Sequence, residues 1–191
     1  MAEASSRREF LRRARDGGVL LLTFTVAGCE KELSPEQARE EGVPYTQLSE
    51  LEALNLDALG EVLVPGASAA GLSHYVDQQL GAPIEKQLLM LKYLGLPPPH
   101  DDFYHQGLAA LEALSQAQHG NAFHSLTAEQ ATAVVGAVAS GNADGWEGPP
   151  PPLFYFALRS DAVDVVYGTP KGFEQLGLSY QAHIMPPEGW G

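Results

Sequence analysis

The stretch Gln47–Gly66, QLSELEALNLDALGEVLVPG, decides the fold class. Leu48, Leu51, Leu54, Leu59 and Val62 recur at near-helical spacing, and Pro65-Gly66 ends the run. The same period continues down the chain. Ala69, Leu72, Val76 and Leu80 mark a second helix, stopped by Gly81 and Pro83. Ile84, Leu88, Leu91 and Leu94 mark a third, stopped by Gly95 and the prolines at 97–99. Asp101 or Asp102 is placed to cap a fourth, carrying Tyr104, Leu108, Leu111 and Leu114. Thr127 with Gln130 makes a capping box for a fifth, with Ala131, Val134, Val135 and Val138. Ser140–Pro152 is broken by glycines and four consecutive prolines and reads as a connector. The apolar and aromatic stretch Leu153–Val166 predicts a further helix. Tyr167–Gly191 is rich in Gly, Pro and aromatics and has no period. The expected fold is therefore all-α: a compact domain of five or six helices with an irregular C-terminal tail.

Composition narrows the function classes. With 45% apolar and 18% charged residues over 191 positions, the chain has the makings of one globular domain. Acidic residues outnumber Lys plus Arg by 24 to 11, a net charge of −13. A nucleic-acid binder carries a basic footprint, so nucleic acid is not an expected partner. The single cysteine excludes an intramolecular disulfide, a Cys-based zinc site and a CxxCH haem attachment. No apolar run reaches the roughly 18 residues of a spanning helix.

The charge is uneven. Arg7, Arg8, Arg12, Arg13 and Arg15 are five of the seven arginines, and only Glu3 and Glu9 oppose them in that segment. From Cys29 onward six basic residues face 21 acidic ones, a balance of −15. A basic start on so acidic a chain reads as an address label. Ser6-Arg7-Arg8-Glu9-Phe10-Leu11-Arg12 fits the twin-arginine export pattern, with Ser6, Arg7, Arg8, Phe10, Leu11 and Arg12 at its defining positions. Val19–Ala27 is a short apolar run suited to a signal h-region. The plainer alternative is a basic amphipathic N-terminal helix. Val26-Ala27-Gly28-Cys29 then matches a lipobox, in which the Cys29 thiol takes a diacylglycerol and becomes the mature N-terminus. Two acyl chains give stable membrane anchoring where one does not. The alternative is an incidental cysteine near an ordinary cleavage site. Glu30–Pro44 is polar and looks like a tether. The expected organisation is a twin-arginine signal peptide at 1–28, a tether at 29–45 and a helical domain at 46–191. The expected location is periplasmic, at the membrane surface through a lipid on Cys29.

Catalytic patterns are nearly absent. The only Gly-x-Gly is Gly189-Trp190-Gly191, so there is no dinucleotide fingerprint and no P-loop. Gly66–Gly71 misses the nucleophile elbow by one residue and lies between helices. No Glu-x-x-His occurs, which leaves a di-iron bundle without ligands. His100, Asp101, Asp102 and His105 form the densest polar cluster, better explained by a helix start than by a metal. His74 and Asp77 stand one helical turn apart, and His119, His124 and His183 are isolated. No catalytic, cofactor-binding or metal-binding residue is assigned.

Several segments together resemble a known family. They are the twin-arginine start, Gly60–Ala67 (GEVLVPGA), Ala70–Asp77 (AGLSHYVD), Phe103–Leu108 (FYHQGL), Phe123–Leu126 (FHSL) and Phe154–Gly168. Their order and spacing are similar to the gluconate 2-dehydrogenase subunit 3 family, the small or gamma subunits of membrane-associated flavoprotein dehydrogenases. Many members carry Gly-Gly-Asn after the tyrosine equivalent to Tyr167, where this chain has Gly168-Thr169-Pro170-Lys171-Gly172. That departure implies a subgroup.

The resemblance implies a non-catalytic small subunit. FAD would sit in a large partner subunit of the glucose–methanol–choline type, which oxidises a sugar or related alcohol. The twin-arginine peptide would export the folded pair, and the small subunit would aid the partner's maturation. A cytochrome c commonly accepts the electrons. Phe154, Tyr155, Phe156, Tyr167, Phe173, Tyr180 and Trp190 supply a candidate partner interface, the alternative being ordinary core. A free-standing helical periplasmic lipoprotein that binds a small ligand stays open as the other class, and so does an enzyme with an unrecognised motif. Replacing Arg7 and Arg8 together with Lys is expected to strand the protein in the cytoplasm, checked by fractionation. Unchanged export of that variant refutes the signal.

Overall fold

The computed structural model describes residues 21–26 and 28–178, and these fold into a mostly helical body with one small hairpin. Strands β1 (Leu22–Val26) and β2 (Cys29–Leu33) pair antiparallel, from Leu22 opposite Leu33 to Val26 opposite Cys29. Eight α-helices follow among the described residues: α1 (Pro35–Glu40), α2 (Glu50–Leu63), α3 (Leu72–Gly81), α4 (Met90–Tyr93), α5 (Asp101–His119), α6 (Ala128–Ser140), α7 (Pro151–Tyr167) and α8 (Pro170–Gln175). Short 3₁₀ turns occupy Ile84–Lys86 and Phe123–Ser125. The all-α expectation holds in substance. The candidate export motif Ser6–Arg12 lies outside the described residues, as do Tyr180, His183 and Trp190.

Capping chemistry sets the helix starts. Ser34 with Gln37, Ser49 with Glu52 and Thr127 with Gln130 each form a reciprocal capping box. The fourth helix departs from expectation. Neither aspartate caps it; Asp101 and Asp102 lie inside its first turn, where negative charge favours the helix N-terminus.

Helix α3 is the hub. Leu72 to Asp77 and Gln79 are all buried, so this helix is enclosed on nearly every side. Its entry needs Gly71, whose backbone is left-handed at φ 84° and whose Cβ would fall 2.2 Å from the Pro35 carbonyl oxygen. Gly107 is a second notch. A Cβ there would stand 2.2 Å from the Phe154 ring, so α5 and α7 pack closely only because that side chain is missing. Phe154 fills the notch and also meets Phe103 and Trp146, with ring centroids 6.0 and 5.5 Å away.

Three expectations are corrected. The predicted third helix is instead a 3₁₀ turn, an extended link and the four residues of α4. Tertiary partners take the amides a continuous helix would need: Leu88 N–H donates to Gln79 Oε1, and Met90 N–H to Asp161 Oδ1. Lys92 Nζ takes the carbonyls of Glu85 and Gln87. The stretch 29–45 is folded and not a tether, since Leu33, Pro35, Ala38 and Val43 are buried in it. Among the described residues the folded body already includes the hairpin ahead of residue 46, and strand β1 covers part of the stretch read as an h-region. Finally, Tyr167–Gly191 is not irregular throughout: Thr169 caps α8 through Gly172 N–H at 3.0 Å.

Gly71→Ala is expected to destabilise the fold by about 2 kcal/mol or more, from left-handed strain plus collision with fixed backbone. Thermal or urea unfolding measures it. A variant as stable as the parent contradicts this packing.

Candidate functional site

Several polar residues in and beside the motif segments tie one element to another. Asp77 on α3 accepts three successive backbone N–H groups: Thr46 at 3.0 Å, Gln47 at 2.7 Å and Leu48 at 2.8 Å. The Thr46 hydroxyl adds a fourth bond at 3.2 Å. His74 Nε2 donates to the Val43 carbonyl at 3.0 Å, and its ring packs 4.6 Å from Tyr45. Burial holds its pKa below the ordinary histidine value. Glu61 on α2 accepts from the amides of Gly66 and Ser68, closing the turn after Pro65. Asp57 accepts from Arg39 at 2.6 Å and from Ser73 N–H at 3.3 Å.

The remaining histidines serve similar joints. Asn55 Oδ1 accepts from both the backbone N–H and the Nδ1 of His124, each at 3.1 Å. Asn55 Nδ2 donates in turn to Glu112 on α5, which also receives Phe123 N–H. His105 Nδ1 lies 2.7 Å from Glu52 Oε1, while Ser49 bonds the other oxygen. Burial pushes the Glu52 pKa up, but Ser49 and His105 outweigh it and leave the group below its usual value. His100 faces Gln87 Oε1 and the Leu96 carbonyl. The cluster at 100–105 therefore diverges: His100 turns to the link before α4, and His105 to α2. Asp101 Oδ1 is buried with no hydrogen-bond partner among the described residues. No group of three or more His, Cys, Asp and Glu among those residues is placed to hold a metal.

Asp161 is the most perturbed carboxyl. It is fully buried on α7, where Met90 N–H donates to Oδ1 at 2.8 Å and the Tyr104 hydroxyl to Oδ2 at 2.5 Å. Burial raises its pKa to about 7, although both hydrogen bonds favour the charged form. It joins α4, α5 and α7.

The candidate interface residues separate in space. Phe154 is 1% exposed and belongs to the core, so it offers no surface to a partner. Its neighbour Phe156 is 47% exposed. Tyr155, Tyr167 and Phe173 are half-buried. Several exposed apolar residues were not singled out from the sequence as interface: Tyr93 and Leu94 at the end of α4, and Leu176 and Leu178 after α8. Leu51 and Leu54, two of the residues that recur at near-helical spacing, are 45% and 51% exposed, while Ala53, Leu56 and Leu59 face inward. The excess of leucines on α2 over what one face can hold was the available signal. An open groove of about 350 Å³ runs between α1, the turn at 65–70 and the α7–α8 corner. Pro65, Ala69, Val165 and Pro170 line it, and Lys171 bonds Glu36 at its edge.

A family model matches most of the chain that carries these joints. The model described as gluconate 2-dehydrogenase subunit 3 matches residues 50–186, from the first residue of α2 onward. The chain belongs to that family. No curated protein and no solved structure matches it. The family takes its name from a subunit of a dehydrogenase complex, which makes the chain an accessory subunit by family. The hairpin and α1 precede the matched region.

Asp161 gives a pH signature with a defined sign. Its folded pKa lies above the unfolded value, so the native state holds the extra proton between pH 4 and 7. Stability from this group is full at the acid end and falls as pH rises through about 7. Asp164, also raised by burial, acts in the same direction. Urea unfolding from pH 5 to 8 is expected to show the decline, and Asp161→Asn to remove most of it. An unchanged slope in that variant rejects the assignment.

Proposed function

We propose that the chain is the non-catalytic small subunit of a periplasmic FAD-dependent sugar or alcohol dehydrogenase. In this reading the flavin resides in a large partner subunit of the glucose–methanol–choline type. The chain carries the twin-arginine signal for the folded pair, aids maturation of the flavin subunit and is anchored by a lipid on Cys29. A cytochrome c takes the electrons.

The observation that carries the reading is the use of polar groups in the motif segments. Glu61, His74, Asp77, His105 and His124, with Asp57 just ahead of the first segment, are each engaged in a joint. What remains for function is surface: Leu51, Leu54, Tyr93, Leu94, Phe156 and Leu176 expose apolar side chains that a core-like subunit contact would cover. The apolar groove between α1 and α8 supports the second reading, a free-standing lipoprotein that takes a small ligand.

Coexpression decides between them. With a flavin subunit of the glucose–methanol–choline type from the same source, the chain is expected to give a yellow complex whose small subunit begins at a lipid-bearing Cys29 by mass spectrometry. Phe156→Ser is expected to weaken that complex by about 1.5–3 kcal/mol, the scale of one buried aromatic. Alone, the chain should neither bind flavin nor oxidise sugars. Flavin binding by the isolated chain, or a stable monomer that ignores the flavoprotein, overturns the proposal.

A further inference from the structure

Strand β1 lies upstream of Cys29, the residue at which the export reading cuts the chain. Val26 pairs with Cys29 across the hairpin turn, Gly28 sits in that turn at φ 80°, and Cys29 is exposed. The Gly28–Cys29 bond is therefore at the exposed tip of the hairpin. Cutting it detaches the whole of β1.

That strand is part of the folded body. Leu22 and Phe24 are 8% and 5% exposed, while Thr23 and Thr25 face outward. Leu22 stands opposite Leu33, itself buried, and Gln78 Nε2 on α3 donates to the Thr23 carbonyl at 3.3 Å. Removing β1 leaves the β2 edge unpaired and vacates two apolar positions of the core, two residues apart, on a cavity that Val43 and Leu88 also line. An open edge with alternate apolar seats is the arrangement that accepts an added strand.

We infer that processing at Cys29 turns the place of β1 into a docking site for an extended strand of the flavin subunit, antiparallel to β2. The inference rests on the proposed function. The occupant's chemistry follows from β1 itself: large apolar residues at the positions of Leu22 and Phe24, polar residues between them. Glu30 lies opposite the outward-facing Thr25, which favours Lys or Arg there in the incoming strand. The flavin subunit is already in place, because a folded pair crosses the membrane before the signal is removed. Assembly then has two stages: contact through the helical surface first, and strand addition after cleavage.

The test uses the mature pair from membranes and the same pair held uncleaved by Cys29→Ala. Residues 29–33 should exchange amide hydrogens at least about tenfold slower than open chain in both pairs. A photo-crosslinker replacing Glu30 should reach the flavin subunit in the mature pair only. A peptide of Leu20–Ala27 should compete with that crosslink, and its F24S form should need about tenfold more, the cost of one buried aromatic seat. Free exchange at 29–33 in an intact, active mature pair overturns the inference and leaves the accessory-subunit reading standing. Crosslinks to a second copy or to a cytochrome overturn the assigned occupant. A mature N-terminus upstream of Leu22 overturns the vacated strand, and the absence of any pair overturns both readings.

Discussion

Three consecutive backbone amides, those of Thr46, Gln47 and Leu48, converge on the carboxylate of Asp77. Much of the body depends on that convergence. A carboxylate on a helix as enclosed as α3 must find donors, and amides in a loop must find acceptors. Each answers the other, at about 1.5–3 kcal/mol per charge-assisted bond. The loop is thereby fixed one residue before Ser49, which caps α2. From there α2 reaches the turn at 66–68 through Glu61, α1 and the start of α3 through Asp57, and α5 with the 3₁₀ turn at 123–125 through Asn55. The position of one carboxylate thus propagates to most of the helices.

Much of this was legible in sequence, and the rest was hidden for identifiable reasons. Period and punctuation found α2, α3, α5, α6 and α7, because each is long enough to show a buried stripe. The Thr127–Gln130 box was readable because both partners are local. The stretch 84–94 misled because side chains from α3 and α7 claim its amides, and those partners are distant in sequence for Asp161. The hairpin and α1 were hidden by polar composition: the apolar residues of 29–45 are few, although Leu33, Pro35, Ala38 and Val43 among them are buried.

The interface was legible only in outline. Phe154 and Phe156 are about 200° apart around one helix, so they cannot both face a partner. Which one turns inward is decided by the notch at Gly107, on another helix and nearly fifty positions earlier. The same limit applies to α2, whose regularly spaced leucines include the exposed Leu51 and Leu54 as well as the buried Leu59. Helical period gives a face but not its phase when apolar residues exceed what the face can hold. The role of His74, His105 and His124 as joints needed the folded chain, because each partner lies on another element.

The groove edge joins the two ends of the described chain. Glu36 on α1 and Lys171 on α8 are 135 positions apart and meet at 2.8 Å. The exposed ion pair itself contributes little; its significance is topological. During synthesis α1 emerges early and waits for nearly all of the polypeptide before its neighbour on α8 exists. Closure of the body is therefore a late event, set by the completion of translation more than by local folding. A chain cut short before α8 would leave α1 and the turn at 65–70 without the neighbour that closes the groove, so this seam registers whether the chain is complete.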